Sequence, residues 1–482
     1  MKHSSSILRQ REIISESNLG KAIMSNLTDC LSFDPILPVT IEPNNINTFL
    51  DAWKIGMARH VSKLSRSAMS ALDALPDGCL YQCMNEKLWR RAAQICELFR
   101  NPAITKNAGR LDTLTLQRKF HDALMAGGPF SLIIGWGQPK RTAGGLKTPG
   151  PFADLAEMYA IRRLLVICRV VTQISQTPVS ITVLTGGSRF VEALFTREEI
   201  AFQYDQQRQK IADFLGTKDE IRFVAYSDLI GAHNEMAAKQ EIKQRLETYL
   251  TEVTDEMVQP KFSTILLNID WDHLITLETE KRFLTPHGIV LPSSVGTWLE
   301  HQDELSRCRL IRAAIVGIIC PRRQSEWINA FGEERVYEET LSFVHNVAWE
   351  STRKYIALHL MDAHDEASRI LLKDGANVVR LTVHEKNDRR DIPALFMLGA
   401  DGGNLLPQHV LAVIKPNGPL VFESYAELRQ RDVKAICLSS GKNSCARYPL
   451  FEWLIPAQQP LCYVEAGKPA YAERLNNTGG DL

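Results

Sequence analysis

The chain has 482 residues, 45% hydrophobic and 23% charged, which suits an ordinary globular protein with a large core and room for two to three domains. Lysine plus arginine (56) equals aspartate plus glutamate (56), so no bulk charge points to nucleic acid or an anionic membrane as a partner. The ten cysteines are scattered; the closest pair, Cys79 and Cys83, fits neither a CxxC redox motif nor a zinc knuckle, and the set reads as buried, reduced thiols. The N-terminus MKHSSSILRQREIISES lacks the apolar core of a signal peptide and the run Ala313 to Cys320 is too short to span a bilayer, so a cytoplasmic protein is expected.

Residues 1–28 are polar. From Ile46 to Phe99 apolar side chains recur at three and four: Phe49, Trp53, Met57 and Val61, then Leu88, Ala92, Ile95, Cys96 and Phe99. This predicts a helical N-terminal region over 1–110 with no catalytic grouping, closed by a linker at 101–110 and followed by a helix from Leu111 to Met125. Leu132, Ile133 and Ile134 then read as a buried strand. The glycine- and proline-rich loop after it is basic, with Lys140, Arg141 and Lys147 among Gly144, Gly145 and Gly150. Asp154 opens an apolar-periodic run with Glu157 three residues on, the capping pattern of a helix start. A strand, a basic glycine loop and a helix N-terminus suit an anion, above all a sugar phosphate. The loop has neither Walker nor GxGxxG spacing, and a solvated surface loop is the competing reading.

Val179 to Leu184 reads as a strand running into the glycine turn Thr185, Gly186, Gly187, a common place for an α/β site. Glu198 to Phe214 is a charged helix containing Tyr204, Ile221 to Tyr226 a strand, Met236 to Thr254 a helix and Phe262 to Ile269 a further strand. Asp270, Asp272 and His273 have no second histidine in register, so no metal site is expected there. Phe283 to Glu338 has no legible pattern. In VVRLTVHEK, residues 378–386, the strand period places Arg380, Thr382 and His384 on one face and Val379, Leu381 and Val383 on the other. LLPQHVLAVI, from Leu405 to Ile414, reads as a similar element with Pro407 near its start and His409 heading the apolar run. If these two strands pair, an arginine and two histidines line one cleft; hydrogen-bonded core histidines are the alternative.

Taken together, KTPGPFADLAE, a strand with a glycine turn and Phe190, Tyr204 with Asp205 and Gln206, VRLTVH and LLPQHVLAV resemble the pyoverdine/dityrosine biosynthesis family, which includes the isocyanide (isonitrile) synthases. The matching positions are Lys140 and Lys147, Asp154 and Glu157, Gly187, Phe190 and Glu192, Tyr204, Arg380 and His384, and Pro407 with His409, over roughly residues 128–420. The chain departs from the family pattern at Gly186, where an aspartate is expected, at Glu385 for a proline, at Gln408 for a tryptophan, and at 363–367, where AHDEA stands for an RSxAW segment. It is similar to a divergent member.

The resemblance implies an α/β catalytic domain over 111–430 with a mixed, Rossmann-like central sheet flanked by helices, preceded by the helical region and followed by a C-terminal extension at 431–482. It implies condensation of the α-amine of an amino acid with ribulose 5-phosphate and fragmentation of the adduct to leave one sugar carbon on nitrogen. Neither metal nor organic cofactor is implied. The partners implied are these small molecules, with an oxygenase or peptide-assembling enzyme downstream, and neither nucleic acid nor membrane. Lys140, Lys147 and Arg380 suit a clamp on phosphate or carboxylate, with Tyr204 and Glu192 in the substrate site. His384 and His409 suit proton transfer, since imidazole ordinarily titrates near neutral pH. Asp154 and Glu157 fit either catalysis or a helix cap. An N-formyl product and a non-catalytic binder of amino acid or sugar phosphate are the alternatives.

Overall fold

The computed structural model describes residues 38–41, 86–137, 139–140, 142–143, 146–185, 191–217, 219–225, 243–244, 246–274, 284, 288–331, 333–364, 377–384, 389–399, 405–415, 420–429, 431, 433–438 and 450–465. A short strand β1 (Pro38–Ile41) precedes helices α1 (Glu86–Arg100) and α2 (Thr113–Met125). Helix α1 buries Ala92, Ile95, Cys96 and Phe99, the stripe expected from its sequence, and α2 starts where the Asp112 carboxylate accepts from Thr115 N–H. Residues 46–85, the rest of the expected helical run, lie outside the described residues.

Strand β2 (Phe130–Gly135) leads through the basic loop into α3 (Leu155–Ser175), and β3 (Val179–Thr185) through α4 (Val191–Leu194) and α5 (Glu198–Phe214) into β4 (Ile221–Ala225). All three strands are parallel, as strands joined by crossover helices must be, and β5 (Val378–Leu381) joins them on the far side of β2 to give the order β4-β3-β2-β5. Leu132, Ile134, Ile181 and Val183 are fully buried, because this sheet is covered by helices.

Between β4 and β5 the chain builds a helical layer: α6 (Asp255–Leu266), α7 (Trp271–Leu274), α8 (Ser293–Glu300), α9 (Glu304–Ile319), α10 (Gln324–Phe331) and α11 (Glu334–His364). Helix α11 packs against α6, α8, α9, α10 and α4. This layer has its own core, which takes in Ala143 and Leu146 of the basic loop and Ala193, Leu194 and Phe195 at α4. No helix among the described residues is long and apolar enough to cross a membrane.

Past β5 the chain forms β6 (Leu411–Ile414), β7 (Leu420–Glu423), the turn of helix α12 (Tyr425–Leu428), β8 (Val433–Leu438) and β9 (Cys462–Glu465). These strands and β1 make a second, mixed sheet in the order β1-β8-β9-β6-β7. The α/β class therefore stands, with the parallel and mixed pairings divided between two sheets.

Two sequence expectations are corrected and one illegible stretch is resolved. Phe262 to Ile269, read as a strand, lies mainly in α6: its buried positions Val258, Phe262, Ile265 and Leu266 make a helical stripe that the short apolar run concealed. Strands β5 and β6 do not pair but belong to different sheets. The illegible stretch from 283 holds α8, α9 and α10. Pro407 accounts for the shortened β6: without an N–H it opens a 3-10 turn, Pro407–His409, closed by His409 N–H on Leu406 C=O, and the ladder starts only at Leu411.

Candidate functional site at the carboxyl edge of the parallel sheet

The strand order fixes where a ligand site belongs. The chain steps outward from β2 to β3 to β4 and then returns to place β5 on the other side of β2, so the sheet reverses its order between β2 and β5. Open parallel sheets bind ligands in the crevice off their carboxyl ends at such a reversal. The basic loop leaves β2 there, and the segment carrying Arg380 and His384 runs beside it, with Arg380 in register with Ile133. Two stretches far apart in sequence thus leave neighbouring strands at that edge.

Lys140 is the centre of a buried hub. Its ammonium donates to Pro407 C=O at 2.8 Å and Val410 C=O at 2.7 Å, and stands 3.2 Å from Asp154 Oδ2 and 3.3 Å from Glu157 Oε2. The side chains of all three charged residues are at most 1% exposed. Asp154 caps α3 and forms the complete capping box with Glu157 that the sequence announced. Tyr204 on α5 donates to Glu157 Oε1 at 2.8 Å. Burial pushes the Asp154 carboxyl well above the usual range and outweighs the Lys140 ammonium beside it, while the Glu157 charge pushes the same way. Burial likewise raises the Tyr204 phenol, helped by Glu157, so Tyr204 stays a neutral donor. One ammonium against two carboxyls is near neutral if Asp154 keeps its proton. Four predicted site residues, Lys140, Asp154, Glu157 and Tyr204, therefore come together, with Lys140 turned inward to two backbone carbonyls.

The hub fixes the turn that carries His409. Pro407 and Val410, on either side of that turn, both bind Lys140, and between them Gln408 Oε1 accepts from the Trp136 indole at 2.9 Å. Trp136 directly follows β2. Gln408, standing where the family pattern has tryptophan, thus ties the turn to the exit of β2. Beneath Trp136 lies Arg208, fully buried, donating to Trp136 C=O at 2.6 Å and to Asp205 and stacked against Trp136, Tyr204 and Phe223. Sequence reasoning missed Trp136 and Arg208 and saw Gln408 only as a departure from the family pattern; for Arg208 the i, i+4 spacing with Tyr204 on one helix face was the available signal.

Lys147 faces the other way. It is buried, and its ammonium donates to Asn268 at the end of α6, while its carbonyl accepts from Tyr425 N–H. Thr142 donates to Asp272 Oδ2 at 2.8 Å, and Cys308 on α9 to Asp272 Oδ1 at 3.4 Å. Burial, then Asp270, raises the Asp272 carboxyl. The acidic cluster read at 270–273 therefore ties the basic loop to the helical layer. Gly150 shows how closely the loop is fitted: an added Cβ would collide with Gln459 Oε1, and that amide is held on both sides by Phe152, accepting its N–H at 3.0 Å and donating to its C=O at 2.8 Å. Gly150→Ala is accordingly expected to cost about 1–3 kcal/mol of unfolding free energy in urea titration, because moving Gln459 strands buried groups; a loss below about 0.5 kcal/mol would show that the amide can move without penalty.

At β5, Val379 and Leu381 are buried and Arg380 is half-buried, the two faces expected. Burial lowers the Arg380 guanidinium, and Arg389 lowers it further. Nearby Asp391 takes bonds from Arg389 at 3.1 Å and Lys119 at 2.8 Å, which outweigh its burial and hold its carboxyl far below the usual range. Arg380, Arg389, Lys119 and Asp391 together carry net positive charge. His384 is exposed beyond the strand, its N–H donating to Thr382 Oγ1 at 3.1 Å. Glu192 stands on α4 with its side chain outside the described residues, as are Gly186, Gly187, Phe190, Arg141 and Glu385.

The fold defines an α/β protein with a four-stranded parallel sheet, a second mixed sheet and a separate helical layer. Residues 138–285 match the family model described as "Pyoverdine/dityrosine biosynthesis protein", the family that the sequence resembles. Among solved structures the chain is similar to the PvcA protein from Pseudomonas aeruginosa, at 15% identity and a TM-score of 0.45, covering 78% of this chain and 99% of that one. No curated protein matches.

Proposed function

We propose that the chain is an isocyanide synthase-like enzyme that joins the α-amine of an amino acid to ribulose 5-phosphate and releases the remainder of the sugar. The family match over the segment containing the basic loop carries this reading. Charge supports it: both substrates carry an anionic group, and Lys147 at the helical layer and Arg380 with Arg389 at β5 are the cations that would hold those groups. His384 and His409 would move protons during imine formation, enolisation and carbon–carbon cleavage. Hydration of the same product gives an N-formyl amino acid. A binding protein without turnover is the second reading, favoured by Gly186 at the aspartate position and by the complete engagement of Lys140 in the hub.

Incubation of the full chain with ribulose 5-phosphate and a panel of amino acids decides between them. The expected product, by mass spectrometry, has one more carbon than the amino acid, taken from the sugar. Saturable binding of both substrates without product would leave the binding protein, and binding of neither would reject both readings.

A further inference from the structure

The helical layer carries a buried cation and a buried hydroxyl that the site described so far does not use. Lys354 and Ser351 are one turn apart on α11 and therefore share a face. Both are buried, Ser351 at 0% exposure and Lys354 at 2%. The Lys354 ammonium stands 5.5 Å from the centre of the Phe195 ring, where α11 packs against α4, the next helix after β3. Asp270 N–H binds Leu194 C=O at the same joint, two residues along from the Asn268 that holds Lys147. Lys354 and Lys147 therefore reach the joint between α4 and α6 from two elements.

Ser351 differs from its neighbours in one respect. A hydroxyl in the middle of a helix ordinarily donates to the carbonyl one turn back. Thr340 and Thr352 on α11 do so, each at 2.6 Å, whereas Ser351 Oγ has no hydrogen-bond partner among the described residues. On the sheet side Thr185 Oγ1, at the last position of β3, is likewise buried without a partner among the described residues. Buried hydroxyls left unsatisfied are rare in native proteins and call for a reason. A buried ammonium with an undirected hydroxyl one turn away is the donor set of an oxyanion site, the ammonium supplying charge and the hydroxyl direction.

We infer that Lys354 and Ser351 of α11, with Lys147 of the basic loop, bind the phosphate group of a phosphate monoester substrate at the joint between the helical layer and α4. The inference rests on the proposed function only for the identity of that monoester as a sugar phosphate; the phosphate site itself is read from the burial and hydrogen bonding of α11. It makes the helical layer a substrate-binding element.

The test uses the full chain, with inorganic phosphate and ribulose 5-phosphate as separate probes, each followed by calorimetric titration and by the rise in Tm on addition. Wild type is expected to bind both. Lys354→Met is expected to weaken both by about tenfold or more, the equivalent of one charge-assisted contact, while Lys354→Arg retains most of the affinity. Ser351→Ala, which removes one buried oxygen, is expected to weaken both several-fold with the ligand-free Tm unchanged, and it carries the test if Lys354→Met fails to fold. Wild-type affinity in Lys354→Met, or in Ser351→Ala where the first variant is unfolded, overturns the site. Phosphate binding that depends on Lys354 with no affinity for the sugar phosphate upholds the site and sinks the proposed substrate. Sugar phosphate binding indifferent to both variants does the reverse, and a wild type that binds neither probe sinks both.

Discussion

Lys140→Met is expected to lower the unfolding free energy by about 3–5 kcal/mol, the usual range for breaking a buried ion pair by removing one partner. The size follows from what the ammonium leaves behind. Pro407 and Val410 lose the donor on their carbonyls, and Asp154 and Glu157 lose the one positive charge within contact, in a place where water does not reach. Neutralising the acids as well, in Lys140→Met with Asp154→Asn and Glu157→Gln, should recover part of the loss, because the largest cost is an uncompensated charge. Urea unfolding of the three variants against wild type is the measurement. A single-variant loss under about 1 kcal/mol would mean that the hub is not held by its charges.

The same hub sets a pH dependence. Folded Asp154 keeps its proton at a pH where the unfolded chain has released it, so its contribution to stability is full below the ordinary carboxyl pKa. As pH rises toward the folded value that contribution is lost. Asp154→Asn cannot titrate, so the fall in stability as pH rises above the ordinary carboxyl pKa of about 4 should be shallower than in wild type. An equal or steeper fall would place the retained proton elsewhere.

How much of this was legible in the sequence depends on how local the cause is. The capping box of Asp154 and Glu157 was readable because both its bonds lie within four consecutive residues. Strand β2 was readable from its short apolar run, and β3 and β5 from a period of two that separates a buried face from a more polar one. Lys140 was legible as a loop cation but not as a buried one, since its carbonyl partners are 267 and 270 residues further on. The same holds for Gln408, visible in sequence only as a departure from a family pattern, whose partner Trp136 is 272 residues away. Helix α6 was misread because its apolar stripe runs together over its last turn, where eight residues cannot separate a strand from a helix. Ser351 and Lys354 had no signal at all: both residue types are ordinary on a solvated helix face, and only packing shows that this face is inside.

The largest effect on turnover is expected at His384. It lies at the exit of β5, beside the point where the sheet reverses, and it is exposed, so truncation should leave stability within about 0.5 kcal/mol of wild type. Loss of a positioned acid or base costs about 10²–10⁴ in rate, so His384→Ala should fall in that range if this imidazole moves a proton in the slow step. Arg380→Ala should act differently. Its guanidinium already feels Arg389, and Asp391 is bonded by Arg389 and Lys119, so the place favours an arriving anion. If the proposed phosphate site of Lys354 and Lys147 holds the sugar, the amino-acid carboxylate is the anion for Arg380 to bind. Arg380→Ala should therefore raise KM for the amino acid by about 10–100-fold, one charged hydrogen bond's worth, and leave KM for the sugar phosphate nearly unchanged. A rise confined to the sugar phosphate would exchange the two clamps, and unchanged turnover in His384→Ala would move the proton transfer to His409 on the turn that Lys140 holds.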